Sequence, residues 1–336
     1  MTPLSAIAAL LPTLRSEPIR ATLPADLTTA VEHALQAPSV HNTQPWRCRI
    51  TDDVIQLHAD WNRHLAATDP GRRDLVISCG AALHHLLTAL AAQGLAVQVD
   101  WLPDREDSGH LTTVTIRPAA GHPADAALFP PIERRRTDRR RMSHRPVPSE
   151  LLQMLTEHAQ LAGALMLPVT GAAMRARLTA VLSEGAKRQE HSPGYATELE
   201  LWTRRYPAAR DGVPTTNLAP PPVGGVGESA LRRFPHGRLS QPRQLAGHGS
   251  ADDAAELLVI ATSSDDPLQR LRAGEATSAV LLAATRLGLA TTRSARASRS
   301  TSPGGRSNLT CCTCPGTRNS RSASDRTSED HRHMRA

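Results

Sequence analysis

The stretch APSVHNTQPW, Ala37 to Trp46, decides how the rest of the chain is read. It stands between a helical pattern that Pro38 stops and an alternating segment that reads as a strand. It carries a hydroxyl (Ser39), two amides (Asn42 and Gln44) and main chain braced by Pro38 and Pro45. An amide side chain donates and accepts at once. The set therefore suits the edge of a planar heterocycle with alternating N–H and C=O groups. The same residue types punctuate ordinary loops, and composition alone favours that plainer reading.

Working outward, Pro24 and Asp26 open a helix through LTTAVEHALQ. WRCRITDDVIQLHAD reads as two strands about an Asp-Asp turn. CGAALHHLLTALAAQGL, Cys79 to Leu95, reads as an apolar helix closed by Gly94, and AVQVDWLP and LTTVTIRP as strands. SELLQMLTEHAQLAGA predicts a helix, LMLPVT a strand, and residues 172–202 one further helical stretch. The Pro/Gly-rich span 207–253 reads as a lid-like loop. AELLVIATSS is a buried strand and RAGEATSAVLLAATRLGLATT a second long apolar helix.

Two pairs of these segments resemble each other. CGAALHHLLTALAAQGL aligns without a gap on AGEATSAVLLAATRLGL, so that Gly80 and Gly94 correspond to Gly274 and Gly288. LPADLTTAVEHALQAP also aligns on VPSELLQMLTEHAQLAG. The shared order predicts an internal duplication. The halves are 1–124 and 125–292, packed about a pseudo-two-fold axis that copies a homodimer within one chain.

Composition narrows the function classes. Of 39 basic residues only Lys187 is lysine, and the formal charge is +7. From Arg293 onward nine arginines face Asp325, Glu329 and Asp330, so this segment holds six of those seven charges. A near-neutral body argues against a phosphate-backbone face and a nucleic-acid partner. Cys48 and Cys79 are the only body cysteines, which fits a reduced compartment. No signal peptide and no run of membrane-spanning length is read, so a cytoplasmic protein is expected.

A second motif is RRRTDRR, Arg134 to Arg140. In an extended segment Arg135, Thr137 and Arg139 project on one side. Two guanidiniums and a hydroxyl then converge as a phosphate clamp. A solvated basic linker is the plainer alternative. DPGRRD (Asp69–Asp74) reads as a turn and cap or as an arginine contact, and RDGVP (Arg210–Pro214) as a lid segment or a plain turn. His33, His84 and His85 lack metal-spaced partners, and no P-loop, nucleophile elbow or dinucleotide fingerprint is present.

APSVHNTQPW, DPGRRDLVISCGAALHHLL and RRTDRR, in this order, resemble the nitroreductase family, in its actinobacterial Acg-type branch, over roughly residues 25–292. The resemblance implies an α+β fold, a mixed sheet wrapped by helices, with FMN at the interface of two protomers or two fused halves. It implies cofactor binding by Pro38, Ser39, Val40, Asn42, Gln44, Arg135, Arg136, Thr137 and Arg139, with no obligatory catalytic side chain. The clamp of one half meets the loop of the other, so one chain builds one complete FMN site. The implied reaction is ping-pong, from NAD(P)H to flavin and then to a small-molecule electron acceptor such as a nitroaromatic or quinone. The protein is expected as a monomeric pseudo-dimer or a homodimer, with no metal.

The resemblance stops at Thr292. The family pattern continues from Thr-Thr to Pro-Leu-Ser-Gln, whereas residues 293–336 contain Leu309 and Met334 but no Ile, Val, Phe, Trp or Tyr. Deleting one C from the CCCC run of ACC ACC CCG CTC AGC CAG GGC turns that pattern into Thr-Thr-Arg-Ser-Ala-Arg, the sequence of Thr291 to Arg296. A frame-shifted, disordered tail is therefore expected, unable to supply a core strand. Its cluster Cys311, Cys312 and Cys314 is too crowded for one tetrahedral ion.

Overall fold

Asp52 and Asp53 turn the chain through its first hairpin. β1 (Trp46–Thr51) and β2 (Val54–Ala59) pair antiparallel with Thr51 opposite Val54. Asp52 takes φ +50°, a left-handed conformation that Asp tolerates in tight turns. Ile55, Leu57 and Ala59 are buried on one face, as period-2 alternation requires. The computed structural model describes residues 23–120, 123–140, 142, 145–206, 209–218, 238–239, 255–294 and 310–314.

The first half comprises α1 (Leu23–Ala34), the hairpin, α2 (Arg73–Ala92), β3 (Leu95–Trp101) and β4 (His110–Ala120). Its sheet runs β1-β2-β4-β3. The crossover through α2 leaves a gap between β2 and β3, and β4 fills it antiparallel to both. The second half comprises α3 (Ser149–Leu161), β5 (Leu165–Val169), α4 (Ala172–Glu190), α5 (Tyr195–Thr203), β6 (Glu256–Ala261), α6 (Pro267–Arg286), β7 (Thr292–Ser294) and β8 (Thr310–Cys314). Its sheet runs β5-β6-β8-β7, the first order with every strand advanced by four. The second half differs by inserting α4 and α5 between its first two strands.

α2 and α6 lie side by side with their N-termini at the same end. Arg73 faces Asp265 and Arg270 donates to Gly71 O there. Gly80 meets Gly274 further along, and His84 meets Ser278 beyond that. One core packs under the first sheet around Ile55, Leu57, Leu83, Leu86 and Leu90. The other packs under the second sheet around Leu155, Leu258, Ile260, Val280 and Leu282.

Four expectations need correction. The sheet is not mixed: every pairing between named strands is antiparallel, and an isolated parallel bridge joins Thr137 to Thr291. The helical stretch 172–202 is two helices, because Pro193 lacks an amide donor and Gly194 takes φ +80°. α2 begins at Arg73, six residues before Cys79, and is long and apolar enough to cross a membrane by length and composition. Most of it is buried against the sheet, α1 and α6, which is the signature of a core helix. Finally, Thr310–Cys314 form β8, hydrogen-bonded between β6 and β7. Main-chain ladders need only non-proline backbone, so a segment poor in apolar residues can still complete a sheet. The remaining tail, residues 295–309 and 315–336, lies outside the described residues. So do residues 1–22 and most of the lid-like span.

Candidate functional site

Ala37–Trp46 folds as a tight knot against α2. Ser39 Oγ accepts from Gln44 N at 2.9 Å, and Thr43 N donates to Val40 O at 2.9 Å. Val40 N donates to Ser78 Oγ at 3.3 Å, and the buried Cys79 thiol donates to Pro45 O. His41, Asn42 and Gln44 all take left-handed φ, +47°, +54° and +49°. Each such residue costs on the order of 1 kcal/mol and persists only where its surroundings over-determine it.

That strain aims the two amides. Asn42 Nδ2 donates to Arg210 O (3.1 Å) and Gly212 O (3.0 Å), and Gln44 Nε2 donates to Arg210 O at 2.7 Å. Both side chains therefore bind the RDGVP turn, about 170 residues away, and the free donor-acceptor edge read from the sequence is largely consumed. Val40 packs with Leu65 and Trp202.

The arginine segment lies along the end of α6. Asp138 N donates to Thr291 O at 2.8 Å beside the Thr137–Thr291 bridge. Arg135, Thr137 and Arg139 are half-buried, while Arg136 and Arg140 are exposed. Arg136 donates to Glu133 O and Arg135 O, and Arg140 grips Asp138 with two donors. Arg135 reaches Gln36 O at 3.5 Å, and its buried Nε has no hydrogen-bond partner among the described residues. Burial pushes the Arg135 and Arg139 guanidiniums down to about 10, with Arg136 and Arg139 adding to the effect at Arg135.

Loop and arginine segment enclose a cavity of about 600 Å³, within the roughly 300–1,000 Å³ of small-molecule sites. Of the nine residues singled out in the sequence, Pro38, Ser39, Asn42, Arg135, Arg136, Thr137 and Arg139 line it. Val40 and Gln44 do not. Val213, Pro214, Asn217, Leu289 and Ala290 also line it. Of these, Val213 and Pro214 lie in RDGVP, flagged as a lid segment, while Leu289 and Ala290 carried no signal beyond helix termination. Arg72 lies over the Trp61 ring and Arg73 pairs with Asp74 and Asp265, so DPGRRD serves the end of α2, not the cavity. The donor set fits a phosphorylated cofactor such as FMN: partly desolvated guanidiniums and an orphaned Nε gain most from a dianion.

No protein-family model matches the chain. Among curated proteins, it is 39% identical over 262 residues to a Mycobacterium tuberculosis protein provisionally named NAD(P)H nitroreductase Rv3131, covering 78% of this chain and 74% of that one. It is 34% identical over 274 residues to Acg of the same species, also provisionally named an NAD(P)H nitroreductase, covering 79% and 78%. A third relative, Rv3127, carries no functional name and is 34% identical over 277 residues, 79% of this chain and 76% of its own. At this identity and coverage, the chain belongs to the nitroreductase family, in the branch that includes Acg.

Proposed function

We propose that the chain is an FMN-dependent oxidoreductase that takes hydride from NAD(P)H and passes it to a nitroaromatic or quinone-like acceptor in a ping-pong cycle. The carrying observation is the cavity walled by the Ser39–Asn42 loop of one half and the Arg135–Arg139 segment of the other. FMN, when bound, supplies the two-electron chemistry. Arg135, Thr137 and Arg139 hold the phosphate, with Arg136 at the rim. Ser39 and the amide oxygen of Asn42, whose N–H donors are bound to the RDGVP turn, face the ring edge, and Pro38 stiffens the wall beside them. Val213, Pro214 and Leu289 supply apolar surface that excludes water. No side chain is needed as an obligatory acid or base. Purified protein should carry or take up FMN and oxidise NADPH or NADH with a quinone acceptor. Absence of flavin binding at tens of micromolar FMN sinks this reading.

A second reading, FMN sequestration with little turnover, gains support from the many hydrogen bonds that tie the RDGVP turn beside the cavity. Bound flavin left oxidised by excess NADPH decides for it.

Two further proposals concern the chain as a whole. The halves arose by duplication, a reading supported by their common strand order and by contacts that repeat at an offset of 194 residues. The chain then acts as a cytoplasmic monomeric pseudo-dimer or homodimer, away from membranes and nucleic acid. Residues past Thr292 are read in a neighbouring frame, supported by Arg293, whose buried guanidinium has no hydrogen-bond partner among the described residues. The gene's nucleotide sequence tests this: no family-like peptide in the neighbouring frame refutes it.

A further inference from the structure

The RDGVP turn is held more firmly than a surface turn requires. Asp211 at its tip accepts from Arg205 Nε (3.1 Å) and Nη2 (2.7 Å), and from Arg63 Nη1 (3.0 Å). Arg63 Nη1 also donates to Thr43 O at 2.8 Å, and Arg205 lies over the Trp202 ring at 4.6 Å. Main chain adds Gly212 N to Asn42 O (3.0 Å) and Val213 N to Trp202 O (2.8 Å). Gly212 takes φ +77°, and a Cβ there would lie 2.7 Å from Trp202 O, so the turn has been drawn in to the limit that glycine allows. Arg63 belongs to the first half, and Arg205 with Trp202 to the second. Asp211 bridges them beside the cavity, immediately before the lining residues Gly212, Val213 and Pro214.

We propose that Asp211 is a positioning residue, a latch between the two halves that fixes the outer wall of the cavity and limits ligand exchange through it. The backbone donors explain where the turn sits. The carboxylate explains why it stays, since charge-assisted bonds to two guanidiniums are about twice as strong as neutral ones. Both arginines hold Asp211 ionised, its carboxyl lying below the usual range chiefly through Arg205.

The test has two arms on the full chain. Hydrogen exchange at Gly212 and Val213, without added ligand, should speed up about tenfold in D211A relative to wild type. That is about 1.4 kcal/mol of lost closure. D211E should restore part of it, and E184Q, which removes an exposed ion pair on α4, should change nothing. Unchanged exchange in D211A, or equal acceleration across the whole chain, overturns the latch. The second arm rests on the proposed function: FMN release, followed by flavin fluorescence, should accelerate with the same variants. Faster exchange with unchanged FMN release overturns the claim that the latch limits ligand exchange. A wild-type chain that binds no FMN counts against the flavin reading, while the first arm still decides the latch.

Discussion

Gly80 and Gly274 face each other across the α2–α6 contact, and each occupies space that a methyl group cannot share. A Cβ on Gly80 would lie 2.1 Å from Leu271 O, and one on Gly274 would lie 2.0 Å from Ile77 O and 2.8 Å from Gly80 Cα. The two clashes are images of one another, because 77 and 80 become 271 and 274 under the same offset. Both involve main chain, which cannot swing aside. G80A and G274A should each cost about 3 kcal/mol through forced helix separation. The double variant should cost less than the sum, since the first substitution already parts the helices. G71A, with nothing within 4 Å of its Cβ, should change the urea midpoint little. Equal midpoints for G71A and G80A contradict the close contact.

The glycine spacing was legible because helix packing is written locally, in small residues at fixed intervals. The hairpin at Asp52-Asp53 was legible for the same reason. What escaped was non-local. Asn42 and Gln44 display amides whose targets, Arg210 O and Gly212 O, lie about 170 residues on, and no local pattern announces such a partner. β8 escaped because strand membership at Thr310–Cys314 depends on vacant ladder positions on β6 and β7, not on its own side chains. The break at Pro193-Gly194 was visible in the sequence and was overridden by helical propensity on both sides.

Arg135 should show a conflict between stability and binding. Its buried Nε lacks a partner among the described residues and its guanidinium is held below the usual arginine range by burial, so the ligand-free protein carries an unreturned desolvation cost. R135M should leave the ligand-free melting temperature equal or higher, while weakening FMN binding at least tenfold. R135K should recover only part of the affinity, because an ammonium cannot present two parallel donors. If R135M lowers stability by 2 kcal/mol or more, Arg135 belongs to the scaffold and not to the phosphate site.

The acid side of the stability profile should contain two opposing slopes. Burial raises Asp69 to about 6, helped by Asp74, whose own carboxyl is also raised by burial. These groups favour the protonated form in the fold, so stability rises as pH falls from about 6 towards 4, by on the order of 2 kcal/mol. Burial lowers His84 to about 4 and His85 well below its usual value. These favour the neutral form, so stability falls as pH drops below 6.5. The histidine loss is the larger, so the wild-type profile should fall towards acid between pH 6.5 and 4, with the two aspartates offsetting part of that fall. D69N should steepen the fall towards acid, and H84N should make it shallower. Identical slopes in all three proteins, measured by urea denaturation, would rule out this balance.

Arg293 provides the sharpest test of the altered C-terminal sequence. Among the described residues its buried Nε, Nη1 and Nη2 have no hydrogen-bond partner, and its nearest counter-charge is Asp74 Oδ1 at 4.0 Å. Asp74 itself has Arg73 at 3.7 Å. At such a separation the attraction returns little of the cost of desolvating both ions. R293M alone should cost about 1 kcal/mol or less, because Asp74 keeps Arg73 and can take up a proton. D74N alone should cost more, about 2–3 kcal/mol, because it strands the guanidinium. The double variant R293M/D74N should be at least as stable as wild type, since it removes a buried pair that was never well bonded. A double variant less stable than either single would mean that this pair is a fitted part of the fold. In that case the chain past Thr292 has been shaped to its place, and the frame-slip reading loses its structural support.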